Sequence, residues 1–440
     1  MSEKRPDPRA VAVPSGRLSR LARLGGLAGG IAGSVAAGGV RDIAAGRRPD
    51  FEALLLTPAN AARMAGQLAQ MRGAAMKVGQ LLSMEAGEVL PAGFAEALSR
   101  LRSEADFMPS RQLKAVLERN WGKGFLSRFE RFDVRPMAAA SIGQVHRALT
   151  RDGRDLAIKV QYPGVRESID SDVANVASLL RMSGLLPKGL AIDPLLAEAR
   201  RQLHEEADYV AEARHLARFR DLLAGWDAFE TPEPQPDLST RDILAMRFVS
   251  GAPIESLAET DQAERDRVMG LLVDLLLREL FEFGLMQTDP NFANYRYDPE
   301  SRRVVLLDFG ATRAFEPAII ETYRRFLAAG LAGDGRALEQ ATLDMGYFAE
   351  DSEPRHKAAI LRMVETGLEP LRAQGAFDFR GSDMLERMKE QGMAFAAERD
   401  FAVVPPIDTL FLQRKVAGLF LLGAKLGARV DARSRLERYL

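Results

Sequence analysis

The feature that most limits what this 440-residue chain can fold into is a change of hydrophobic period near residue 129. From there short runs alternate with period two, as strands do when one face is buried. They read FERFDV, SIGQVHRALT and LAIKVQY, the last two joined by a turn at Arg151-Asp152-Gly153-Arg154. Residues 51–120, and most of the chain beyond residue 265, instead carry apolar residues at three- and four-residue spacing, the mark of helices packed on one face. Residues 193–223 read as one further helix with Leu196, Ala199, Leu203, Ala207, Val210, Ala211 and Phe219 on its apolar face, and ILAMRFV at 243–249 as a further strand. Within the helical region only FANYRY (292–297) and RVVLLDFG (303–310) break the pattern, as a hairpin-like pair. Strands and a helix first, helices later, predicts an α+β fold of two lobes. The expected divisions are a loose segment 1–20, a helical extension 21–127, a small β-rich lobe 128–252 and a large helical lobe 253–440.

Composition narrows the partners. With 60 basic and 61 acidic residues the net charge is −1, so no global field favours nucleic acid, and no nucleic-acid partner is expected. The absence of cysteine excludes disulfides and thiolate metal sites, and His146, His204, His215 and His356 show no paired ligand spacing. A reducing, cytoplasmic location is the simplest fit. The first 50 residues hold nine basic and four acidic side chains, and residues 24–40 are uncharged and Gly/Ala-rich, short of the roughly 20 strongly apolar residues a spanning helix needs. Residues 15–45 therefore allow peripheral contact with the inner face of a membrane, the competing reading being a small-residue helix packed closely on the rest of the protein. Segment 408–430 is interrupted by Arg414, Lys415 and Lys425 and reads as a core helix.

The residues that could carry chemistry form an ordered set. Phosphoryl transfer needs a lysine on the nucleotide phosphates, a carboxylate and a second oxygen ligand on the metal, and a group that orients the acceptor. Lys159 sits in the strand AIKV, where alternation puts Ala157 and Lys159 on one face. Asp289 and Asn294 stand five positions apart in QTDPNFANY, the D-x-x-x-x-N interval of a kinase catalytic loop, and Asp308 opens Asp308-Phe309-Gly310 directly after the apolar strand VVLL. Each fragment alone is common; their order along the chain is what points to one Mg2+-bound nucleotide, ATP or ADP, held by Lys159, Asn294 and Asp308, with Asp289 orienting a hydroxyl or water. Met246 is either core or part of a hinge that would meet adenine.

With these residues in view the chain resembles the UbiB family of atypical kinases, the AarF-domain proteins, over roughly residues 20–435. Met76-Lys77-Val78-Gly79-Gln80 is similar to the family's K-x-G-Q signature, Ala138-Ala139-Ala140-Ser141-Ile142-Gly143-Gln144-Val145-His146 to its alanine-rich nucleotide loop, and Glu206-Ala207-Asp208-Tyr209 to its E-x-D motif. The resemblance implies a protein-kinase-like two-lobed fold and nucleotide contacts from Ala138, Ala139, Ala140, Ser141 and Glu206. It further implies that Lys77 and Gln80 face the active site and occlude large substrates. Alanine reaches positive φ less readily than glycine, so the loop should be stiffer than a glycine-rich one; in the family this goes with a shift toward ADP and away from protein phosphorylation. Gln202 stands where several relatives carry the glutamate that pairs with the strand lysine, leaving Glu205 or Glu206 as candidate partners of Lys159. Gln287-Thr288 and Asn291-Phe292-Ala293 depart from the family's histidine-containing pattern. The implied process is quinone biosynthesis or membrane-lipid homeostasis, with a lipid-like or quinone-related substrate or the enzymes of that pathway as partners. A protein kinase, or a nucleotide-gated scaffold for lipid-modifying enzymes, are the alternatives.

Overall fold

The computed structural model describes residues 107–140, 142–182, 192–397 and 406–440, together with residues 37, 73, 74, 77 and 78. The chain divides into two compact units, Met1–Ala213 with Pro234–Phe248, and Arg214–Glu233 with Val249–Leu440.

The first unit is built on a sheet whose strands follow the period-two runs. Strands β1 (Phe129–Phe132), β2 (Ala138–Ala139), β3 (Gly143–Thr150), β4 (Asp155–Gln161) and β5 (Ile243–Arg247) pair antiparallel in the order β1-β3-β4-β5, with β2 on the end of β3. The β3–β4 register sets Thr150 near Arg154 across the expected turn, where Gly153 takes φ +88°. Helix α1 (Ser110–Trp121) lays Leu113, Val116, Leu117 and Trp121 against the buried face carrying Ala148, Leu156, Ile158, Val160, Ile243 and Ala245. Each fully buried aliphatic side chain of this kind contributes about 1.5–3 kcal/mol. The Trp121 indole N–H donates to the Leu238 carbonyl at 2.9 Å, so its one polar atom is satisfied inside the core.

The expected single helix over 193–223 is two. After α2 (Val165–Met182), α3 (Ile192–Glu206) stops and α4 (Tyr209–Leu222) restarts. The break lies at Asp208, whose carboxylate accepts the Ala211 N–H at 3.0 Å as an N-cap does. This resets the helical phase, and Val210, expected on the apolar face, is 48% exposed.

In the second unit, α5 (Gln262–Arg278) starts at Asp261, which caps the Glu264 N–H at 2.8 Å. One wide turn, Glu279–Phe283, follows and ends at Gly284 with φ +59°. Strands β6 (Leu285–Gln287) and β9 (Thr312–Ala314) pair antiparallel, as do β7 (Tyr295–Asp298) and β8 (Arg303–Leu306). The hairpin expected at 292–310 is thus present, although Phe292–Asn294 is a short 3-10 turn and the strand begins at Tyr295. Helices α6 (Pro317–Ala332), α7 (Gly335–Asp344), α8 (Pro354–Gly367), α9 (Met384–Ala397) and α10 (Ile407–Leu426) are the long helices that follow. Among the described residues no helix is long and apolar enough to cross a membrane. Of the three cations expected to interrupt this segment, Lys415 is itself core, at 2% exposed.

Candidate functional site

Lys159 lies on the face of β4 opposite Ile158 and Val160. Its Nζ donates to both carboxylate oxygens of Glu212, at 2.7 and 2.9 Å, and sits 5.1 Å above the Tyr209 ring. Both side chains are buried, and a charge there is tolerated only when paired. The partner is therefore neither Glu205 nor Glu206. Glu205 binds Arg201 at 2.5 Å, and burial pushes its carboxyl above the usual range despite that partner. Glu206, the last residue of α3, pairs with Lys77. Gln202 donates to Glu198 at 2.5 Å. The seven residues from Glu206 to Glu212 thus serve two lysines from distant parts of the chain, because the break at Asp208 places the two glutamates on different helices. The capping aspartate was the signal in the sequence that could have revealed this. Residues 73, 74, 77 and 78 are helical, with Lys77 and Val78 buried, whereas Gln80 lies outside the described residues.

The alanine run is a strand end. Ala138 faces Val145 and Ala139 faces Gln144 across the β2–β3 pair, and the Ala140 N–H donates to the Gly143 carbonyl at 2.8 Å. Ser141 lies outside the described residues. A Cβ on Gly143 would stand 2.6 Å from the Val160 carbonyl oxygen and 2.7 Å from the Tyr209 hydroxyl, so glycine is required by close approach. Met246, 6% exposed, is paired with Ala157 as Leu244 is with Lys159, which puts its side chain on the lysine's face of the sheet. Behind the alanine strand, the Gln144 side-chain carbonyl accepts the Met108 N–H at 2.8 Å and its amide lies 2.8 Å from His146 Nε2. His146 Nε2 must then accept, leaving Nδ1–H to donate to the Asp133 carbonyl at 2.8 Å. Burial holds this imidazole below the ordinary histidine value, against the opposing pull of Asp133.

In the second unit Asp289, Asn294 and Asp308 come together. The Asn294 amide donates to Asp289 Oδ2 at 3.0 Å, which turns its oxygen away from that carboxylate. The Leu307 N–H donates to the Asn294 carbonyl at 3.0 Å, joining the residue before Asp308 to the asparagine. Asp308 Oδ1 accepts the Gly310 N–H at 2.9 Å, and Phe309, 1% exposed, packs on Phe219 with ring centroids 4.8 Å apart. Thr288, just before Asp289, donates through both N–H and hydroxyl to the Ala311 carbonyl, at 2.9 and 2.8 Å. The loop and the Asp-Phe-Gly segment are therefore pinned to one another from both sides.

Carboxylate and amide oxygens are hard donors of the type that hold Mg2+, an ion that keeps several waters and substrate phosphates in its shell. Asn294 and Asp308 fit that role. No cluster of three or more His, Asp or Glu that could enclose a metal unaided occurs among the described residues, and none is needed for an ion shared with phosphates.

Residues 100–342 match the ABC1 atypical kinase-like domain. The chain is 39% identical over 430 residues to atypical kinase COQ8, mitochondrial, of Saccharomyces cerevisiae, covering 97% of this chain and 85% of that protein. It is 38% identical to atypical kinase COQ8B, mitochondrial, of Danio rerio, over 96% and 68% of the two chains. Among solved structures, a Mycobacterium tuberculosis protein in complex with erythromycin superimposes with a TM-score of 0.60 at 24% identity, over 86% of this chain and 95% of that one, a likeness of fold. On its matched domain, its relatives and its kinase-like α+β architecture, this chain belongs to the ABC1, or UbiB, family of atypical kinases.

Proposed function

We propose that the protein is a Mg2+-dependent nucleotide-binding enzyme, an ATPase or small-molecule kinase, acting in quinone biosynthesis or membrane-lipid homeostasis. The observation that carries this reading is the bonding of Asp289 to the Asn294 amide together with the Leu307–Asn294 backbone bond. These bonds tie Asn294 to Asp289 and to the residue before Asp308, which supports a reading in which Asn294 and Asp308 would share the metal and Asp289 would orient an attacking hydroxyl or water. Bound Mg2+ would supply charge neutralisation on the transferring phosphoryl group. Lys159, held in place by Glu212, would contact the α- and β-phosphates, with Met246 on the same face of the sheet toward the base. The relatives named mitochondrial atypical kinases support the class of activity.

A non-catalytic, nucleotide-gated scaffold is the second reading. It is favoured by the alanine strand, in which the Ala140 N–H is already bonded to Gly143 rather than presented to a phosphate. The test is Mg2+-dependent binding of ADP and hydrolysis of ATP by the purified chain. Asp308→Asn is expected to abolish the Mg2+-dependent part of binding, and full turnover in that variant refutes the assignment. Turnover absent from a chain that binds nucleotide selects the scaffold, and transfer of labelled phosphate to protein substrates selects a protein kinase.

A further inference from the structure

We propose that α10, which lies beyond residue 342 where the matched domain ends, is the cradle that positions the Asp289 loop, with Lys415 and Gly418 as positioning residues. The inference rests on the reading of Asp289 and Asn294 as nucleotide-handling groups.

Two contacts, one on each side of Asp289, carry it. Lys415 Nζ donates to the Gln287 main-chain carbonyl at 2.7 Å and to the Gln287 side-chain oxygen at 3.2 Å, and lies 3.2 Å from Glu279 Oε2. The ammonium thus makes two hydrogen bonds to Gln287 and an ion pair with Glu279, with the Tyr295 side chain also against it. Glu279 closes the ring by accepting the Gln287 N–H at 3.2 Å. Glu279, Lys415 and Gln287 are 1%, 2% and 5% exposed. Burial alone would drive the lysine toward neutrality, yet the Glu279 carboxylate and Tyr295 outweigh it and keep the ammonium charged.

Gly418 stands three residues along, on the same face of the helix. A Cβ there would come 2.3 Å from Pro290 Cβ and 3.4 Å from the Pro290 carbonyl oxygen. The helix therefore grips position 287 by charge and receives position 290 by the absence of a side chain. Glycine in a helix interior is otherwise unfavourable, and neither a lysine buried 128 residues from its acceptor nor that glycine is called for by helix packing alone. What they share is the two-residue span that contains Asp289.

The test uses the full-length chain and three variants, Lys415→Met, the double Glu279→Gln with Lys415→Met, and Gly418→Ala. Readouts are MgATP turnover, the Mg2+ concentration for half-maximal ADP binding, and the melting temperature. Lys415→Met leaves Glu279 buried without its cation and lowers the melting temperature. The double variant removes that unpaired charge and keeps an acceptor for the Gln287 N–H, so the melting temperature recovers. Turnover in the double and in Gly418→Ala nonetheless stays about tenfold or more below the unmodified chain, with the KM for MgATP within about threefold and the Mg2+ requirement raised about tenfold, as expected when a reacting group is misplaced. Recovery of turnover together with melting temperature in the double, with Gly418→Ala unchanged in all three readouts, overturns the inference and leaves the functional reading standing. Absence of Mg2+-dependent ADP binding in the unmodified chain overturns the functional reading and this inference with it. Amide hydrogen exchange supplies a check without substitution: the Gln287 N–H exchanges as slowly as those of Val304 and Val305, and exchange at the rate of an exposed loop refutes the cradle.

Discussion

Replacing Glu212 by leucine tests the centre of the first unit. The substitution removes the carboxylate that accepts two bonds from Lys159, at 2.7 and 2.9 Å, in a place where the lysine side chain is only 10% exposed. The surviving ammonium is then left largely shielded from bulk water without its bidentate carboxylate. Breaking a buried pair from one side costs about 3–5 kcal/mol. With a urea slope of about 2 kcal/mol per M, the unfolding midpoint falls by roughly 1.5–2.5 M. The companion variant Lys159→Met with Glu212→Leu removes both charges, and an apolar pair of similar volume is about neutral, so its midpoint returns to within about 0.5 M of the parent. The chain has two tryptophans, and Trp121 belongs to the first unit, so its fluorescence in a Trp226→Phe background follows that unit. A loss below about 1 kcal/mol in Glu212→Leu, or a double variant no more stable than that single one, would refute the buried pair as the element that organises Lys159.

Two other predictions probe the alanine-strand region. Gly143→Ala sets a methyl 2.6 Å from the Val160 backbone carbonyl, which cannot swing away as a side chain can; a destabilisation of about 1–3 kcal/mol is expected, and an unchanged urea midpoint would contradict the close approach. For His146, whose folded-state pKa is lowered, the unfolded chain binds a proton that the folded chain refuses once pH drops below about 6.5. Its contribution to stability is therefore complete above that value and is lost as pH falls through the window down to the lowered pKa, at a slope of at most about 1.4 kcal/mol per pH unit. Urea midpoints at pH 7.5 and 5.5 should fall further in the parent than in His146→Phe, and an equal fall in both would remove histidine from the account.

Much of the architecture is written in local pattern. The alternation in GQVHRALT and DLAIKVQ, a turn around Gly153, and VVLL leading into Asp308 are each decided by neighbours in the chain, because a buried face imposes its own period on the strand that supplies it. The five-residue interval from Asp289 to Asn294 likewise stays within one loop, and the structure joins its two ends directly. Helix phase was less legible: apolar spacing ran through residue 208, while the Asp208 cap stopped one helix and began another. That single restart decides that Glu212, not Glu205 or Glu206, meets Lys159.

What the sequence by itself determined, then, is the strand that carries Lys159, the loop that joins Asp289 to Asn294 and the strand that leads into Asp308. Only the tertiary structure decided their partners. Glu206 for Lys77, Glu212 for Lys159 and the Gln287 carbonyl for Lys415 follow from burial, since a charge shut away from water must be answered by whatever opposite charge or dipole the packed chain brings near. No local period encodes that choice, because the partners are separated by dozens of residues and meet only when the core closes around them.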